Sequence, residues 1–181
     1  MNIKSVTTTA IIIALYLAPT SIHASEFSKG PLIKEFGPNA VVEQTTPVKA
    51  TQKFMVSYDV AETPGSERMN NRYNSLARFL NMHVRAGVPK ENIQLALVVH
   101  GDASNDLLSK EAYEERYSAE NPNVELLNTL MEHGVKIYVC GQSATYHKIN
   151  NRDLLPGVEM ALSAMTTHAL LQQQGYTLNP F

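Results

Sequence analysis

Between residues 53 and 178 short apolar runs alternate with stretches of helical periodicity, a pattern that restricts the chain to a parallel sheet covered by helices. Residues 53–60 alternate apolar and polar and are rich in β-formers, as a first core strand requires. Met69, Tyr73, Leu76, Ala77, Leu80 and Val84 then recur at three- and four-residue steps, one apolar helix face, with Gly87 and Pro89 in the order that stops a helix. The continuous apolar run at 94–100 suits a strand buried on both faces. A short charged helix is expected over 105–118. Another is expected from Asn121 as cap, with Pro122 in its first turn, to Gly134. Strands at 135–140 and 158–162, a short helix or turn opened by Gly141, a helix at 163–174 stopped by Gly175 and a last strand at 176–178 complete the pattern.

The N-terminal residues read as a targeting segment. Lys4 is followed by the apolar run 10–18, Pro19 and a polar stretch ending at Ser25. That run is far shorter than the ~20 residues needed to span a bilayer but suits the core of a signal peptide, with cleavage expected after Ala24. The other reading, an uncleaved anchor, asks for a longer apolar span. The expected organisation is therefore a signal peptide at 1–24, an extended surface segment at 25–52 with a short strand near 40–43, and an α/β domain at 53–181. The mature chain is placed in the periplasm. Acidic residues number 17 against 15 basic ones, and no basic stripe of the kind nucleic acid requires is present. No second apolar run approaches membrane-spanning length.

The chain holds one cysteine, Cys140, so no intramolecular disulfide can form. In an oxidising compartment a lone thiol is buried and inert, paired between chains, or reactive. Cys140 ends an expected strand and precedes a glycine-led turn, where the amides of Gly141, Gln142 and Ser143 favour thiolate. Dithiol cycling is excluded, and one-sulfur chemistry survives: a carried persulfide or a mixed disulfide. In a parallel α/β sheet, ligands bind where the carboxyl ends of the strands emerge, the edge that carries Asp59, His100 and Cys140. His100 is the expected partner that positions or protonates the sulfur, and His147 adds positive charge if it faces back. His100, Cys140 and His147 also contain zinc-type donors, but no tight ligand spacing supports a metal, and neither metal nor cofactor is expected. His83, His133 and His168 read as solvated or core-edge residues. Asp102 and Asp106 are candidate acids or bases, though loop aspartates more often make caps and turns. No phosphate-cradling glycine loop or nucleophile-elbow motif is present.

Several segments together resemble exported members of the DsrE/DsrF-like family: Arg78-Phe79-Leu80-Asn81, Leu97-Val98-Val99-His100-Gly101, Tyr138-Val139-Cys140-Gly141-Gln142-Ser143-Ala144, Leu162-Ser163-Ala164-Met165-Thr166 and Gln174-Gly175-Tyr176-Thr177-Leu178. The likeness runs from about residue 53 to the C-terminus. It implies a three-layer α/β/α sandwich with five parallel strands in the order 4-3-2-1-5, which would set the strand ends at His100 and Cys140 side by side. It also implies a homo-oligomer, trimer or hexamer, and sulfur passed as a cysteine persulfide to or from a donor or acceptor protein. The expected function is thus a periplasmic persulfide carrier acting through Cys140. The alternative is a non-catalytic oligomeric protein of the same fold that binds a small ligand or partner.

Overall fold

The computed structural model describes residues 27–179. Five strands, β1 (Phe54–Val60), β2 (Ile93–Val99), β3 (Lys136–Cys140), β4 (Val158–Ala161) and β5 (Thr177–Asn179), form one sheet in the order β4-β3-β2-β1-β5. Every neighbouring pair is parallel, with Val60 beside Val99, Val99 beside Val139 and Cys140 beside Ala161. The helices are α1 (Asn71–Arg85), α2 (Lys110–Tyr117), α3 (Val124–Glu132), α4 (Gly141–Tyr146) and α5 (Ala164–Gln173). Both the three-layer architecture and the strand order agree with the sequence reading.

The order decides which helix lies on which face. From β1 to β4 the chain steps along the sheet in one direction, and right-handed crossovers put the intervening helices on one side. From β4 it returns across the whole sheet to β5, so α5 lands on the opposite side. Side-chain alternation divides the strands accordingly. Ile93, Leu95, Leu97 and Val99 join Tyr73, Leu76, Leu80, Leu126, Leu127 and Leu130 in the main core. Ala96, Val98 and Cys140 face the other way, against Ala164, Leu171 and Tyr176.

Local chemistry corrects several boundaries. The charged stretch is divided: a 3-10 helix, Gly101–Leu107, is followed at Leu108 by a bridge to Leu154, and α2 starts afresh with Ser109 accepting from the amide of Ala112. Helix α3 begins at Val124 with Asn123 in the cap position, but the Asn123 side chain makes no cap bond; Asn121 Oδ1 instead accepts from the Asn123 amide at 3.0 Å. The Asn121 amide nitrogen meanwhile donates to the carbonyls of Asp106 and Leu108, tying the start of α3 to the 3-10 segment. No strand forms at 40–43; Val41 and Val42 are exposed, and a single bridge joins Ser28 to Asn39. The surface segment is more firmly held than its composition suggests. Ile33 is 1 % exposed, and Asn81 of α1 bonds across to it, accepting from the amides of Leu32 and Ile33 and donating to the carbonyls of Ile33 and Phe36. The expected leader and its cleavage point lie outside the described residues.

Candidate functional site

The reversal of chain direction creates a crevice at one place. Strand β3 continues into α4 on the main-core side, marked by the buried Ala144, whereas the adjacent β4 continues into α5 on the other side. Where two neighbouring strands send their connections to opposite faces, the loops part and leave a binding crevice. Cys140, the last residue of β3, stands there, level with Ala161 at the end of β4.

Two glycines allow this convergence. A β-carbon at Gly141 would come 2.5 Å from the carbonyl oxygen of Ala161, so only glycine lets α4 start so close to β4. Gly101 has φ +55°, and a β-carbon there would lie 2.7 Å from the Ala61 carbonyl oxygen. Its amide donates to the Ser143 hydroxyl oxygen at 2.9 Å. With that oxygen engaged as acceptor, the Ser143 proton is left to point at the sulfur.

Burial pushes the Cys140 thiol up, but the surrounding donors outweigh it: the amide of Ser143, the amide of Ala164, the Ser143 hydroxyl and the amide of Gln142 hold the thiol below its ordinary range. At the start of α4 the sulfur makes no formed cap bond. The donors act as a cradle for the anion more than as partners of the neutral thiol. Ala164 is the first residue of α5, whose own cap is Ser163 accepting from the Thr166 amide at 3.0 Å. The donor set thus comes from both sides of the crevice. Cys140 itself is 6 % exposed, beneath the start of α5.

His100 projects to the same face as Cys140. Its backbone is extended, φ −147° and ψ −172°, so the alternation of β2 carries one residue past Val99, whose side chain faces the main core. Its Nε2 lies 3.0 Å from Oδ2 of Asp59, the penultimate residue of β1. The other carboxylate oxygen, Oδ1, lies 2.7 Å from Nε2 of His168 on α5. Burial alone would raise the Asp59 carboxyl, but hydrogen bonds and charge from His100 and His168 bring it below the usual range. Beside this cluster opens a cavity of about 450 Å³ lined by Asp59, Ala61, Glu62, Arg72, His168 and Leu178. No hydrogen bond joins His100 to Cys140 among the described residues.

The remaining sequence candidates are dispersed. His147 terminates α4 and faces Asp102, Nε2 to Oδ1 3.5 Å, and not the sulfur. The three residues weighed as a zinc set are therefore not gathered, and no metal-holding group of three or more such side chains occurs among the described residues. Asp106 is a structural latch that accepts from Thr63, Asn70 and Tyr73. His83 stacks on Phe79 with ring centroids 3.9 Å apart, and His133 ends α3.

Sequence reasoning placed Asp59 on the right edge without assigning it a partner, and it missed His168 and the Ser143 hydroxyl. A signal for both partners exists in the periodicities. Asp59 shares the face of Met55 and Ser57 in β1, and His168 follows Ala164 by one helical turn on the stripe that continues to Leu171.

Comparison with known proteins agrees with this architecture. No curated protein matches the chain. Among solved structures, the protein of unknown function MTH1491 from Methanobacterium thermoautotrophicum is 16 % identical, with a TM-score of 0.52 over 71 % of this chain and 100 % of that one. The ychN protein from E. coli is 19 % identical, with a TM-score of 0.49 over 72 % of this chain and 100 % of that one. The likeness to the first is one of fold. The DsrE/DsrF-like family profile matches residues 53–180, most of the chain and the whole of the sheet with its site, and the chain belongs to that family.

Proposed function

We propose that this protein handles sulfur in the periplasm, with Cys140 carrying a sulfane sulfur as a persulfide. The observation that supports this best is a single thiol at the crevice between β3 and β4, held below its ordinary range by donors from α4 and α5. Family membership points the same way in general terms. In the proposed step the Cys140 thiolate attacks the outer sulfur of a donor persulfide. The donor's S–S bond breaks, a new S–S bond forms at Cys140, and the donor leaves as a thiolate that takes up a proton, with no net oxidation. The buried position of the sulfur suits a small persulfide, or a donor presented on a narrow segment, better than a broad protein surface.

Export rests on the leader-like first 24 residues, and the mass of the mature protein recovered from the periplasm tests it. Assembly as a homo-oligomer is proposed from the family resemblance and from the exposed Leu162, Met165 and Leu170 around α5. Light scattering tests that part; a monomer at micromolar concentration overturns it.

The central experiment is alkylation of the folded protein by iodoacetamide across pH, paired with mass spectrometry of protein from periplasm. Reaction at neutral pH and a mass gain of one sulfur atom on the Cys140 peptide are the expected results. A thiol that reacts only in denaturant overturns the reading. The 6 % exposure of Cys140 favours a second reading, a non-catalytic binding protein in which the thiol only packs. Full function of the Cys140→Ser variant in cells would select it.

A further inference from the structure

We propose that Asp59 and His168 are positioning residues that hold His100 as the acid–base group of the Cys140 site. The inference rests on the functional reading above and deepens it by adding a proton path. Its basis is the meeting of three side chains from three elements, β1, the end of β2 and α5, on the face that Cys140 shares.

The hydrogen-bond inventory fixes the roles. An ionised carboxylate only accepts, so each imidazole that touches Asp59 presents its Nε2 as N–H. In His100 this leaves Nδ1 to take or release a proton, and the side chain is 33 % exposed at the sheet's rim. His168 differs. Its Nδ1 is buried and has no hydrogen-bond partner among the described residues, and its side chain is 15 % exposed. That nitrogen reaches neither solvent nor a partner among the described residues, so His168 is placed to orient Asp59 and not to exchange a proton with the site. With Oδ1 held by His168 and Oδ2 by His100, the Asp59 carboxylate cannot rotate. The His100 ring is thereby fixed beside the end of β3. Val99 pairs with Val139, so His100 and Cys140 follow on adjacent strands, which lie ~4.8 Å apart.

The proposed cycle balances. Neutral His100 takes the thiol proton at Nδ1, directly or through one water, as Cys140 becomes thiolate. After the sulfane sulfur transfers and the donor's S–S bond breaks, the same proton passes to the leaving donor thiolate.

The other charged groups around the cluster are few. Glu62 and Arg72 line the adjoining cavity and pair with each other at 3.1 Å. Asp102 and His147, from the 3-10 helix and the end of α4, face one another at 3.5 Å. Cys140 comes from β3, and β5 presents the uncharged Leu178 to the cavity.

The test combines imidazole titration by NMR with the pH profile of Cys140 alkylation, both on the full mature protein. In wild type the alkylation profile should carry a second inflection at the pH where His100 titrates. Asp59→Asn, which takes the carboxylate away from His100 Nε2, should displace the measured His100 titration and move that inflection with it. His168→Gln keeps an N–H for Oδ1 and should stay near wild type, whereas His168→Leu should shift the same way as Asp59→Asn. An unchanged His100 titration in Asp59→Asn overturns the inference. So does a reactive Cys140 whose profile ignores His100→Gln, and in that case the sulfur reading survives alone. A thiol inert in folded wild type overturns the functional reading and, with it, the task assigned to His100.

Discussion

The two faces of the sheet are built differently. On one, α1 and α3 press Tyr73, Leu76, Leu80, Leu126, Leu127 and Leu130 against alternate residues of β1, β2 and β3, all of them at most 1 % exposed. On the other, α5 covers a small apolar cluster interrupted by polar groups: Cys140, the Asp59 carboxylate with its two histidines, and a buried Ser57 hydroxyl without a partner among the described residues. The first face supplies stability through buried apolar area. The second gives up some of that area to place a sulfur, a carboxylate and two imidazoles on one face of the sheet. A uniformly apolar layer would be more stable there and would have no chemistry.

The contrast can be broken most directly by truncating each face. Leu127→Ala on the α3 side should cost about 3–5 kcal/mol in urea unfolding, and Leu171→Ala under α5 only about 2–3 kcal/mol, because the thinner layer relaxes more easily. Equal or reversed losses would break the comparison. Asn81→Ala, which leaves the buried amides and carbonyls of 32–37 unpaired, should cost about 2–3 kcal/mol. It should also open the N-terminal segment to proteolysis while leaving Cys140 alkylation unchanged. An effect on alkylation would mean that the faces are coupled.

A smaller change sharpens the comparison from the other side. Ser143→Ala removes a donor to the sulfur and strands the Gly101 amide, so the thiol should rise toward its ordinary range. Alkylation near neutral pH should slow several-fold, at a stability cost of about 1 kcal/mol.

The smallest expected effect is a difference in the sign of pH dependence. Asp59 has its folded value lowered, so its contribution is present above the ordinary 3.8 and lost as pH falls through the folded value. Asp106, on the α1 side, is raised because burial outweighs the bonds from Asn70, Thr63 and Tyr73. Its contribution is present below 3.8 and lost as pH rises through the folded value. Urea midpoints between about pH 3 and 6, measured for Asp59→Asn and Asp106→Asn, should therefore change in slope in opposite directions. The same slope change in both would remove the electrostatic part of the contrast.

The sequence by itself determined the parallel α/β class, because alternating strand and helix periods admit few other arrangements. It also marked Cys140 as the end of β3, since a strand that gives way to a glycine-led turn must present its last residue at the rim. Tertiary structure decided the rest. Periodicity carries no information about which distant side chains meet, so the bond between Asp59 and His168, 109 residues apart, was invisible in it. The fresh start of α2 at Ser109 was equally hidden, as were the bonds that Asn121 donates to the carbonyls of Asp106 and Leu108 while its oxygen accepts from the Asn123 amide. A side chain with several good partners is assigned by packing, and packing exists only once the chain has folded.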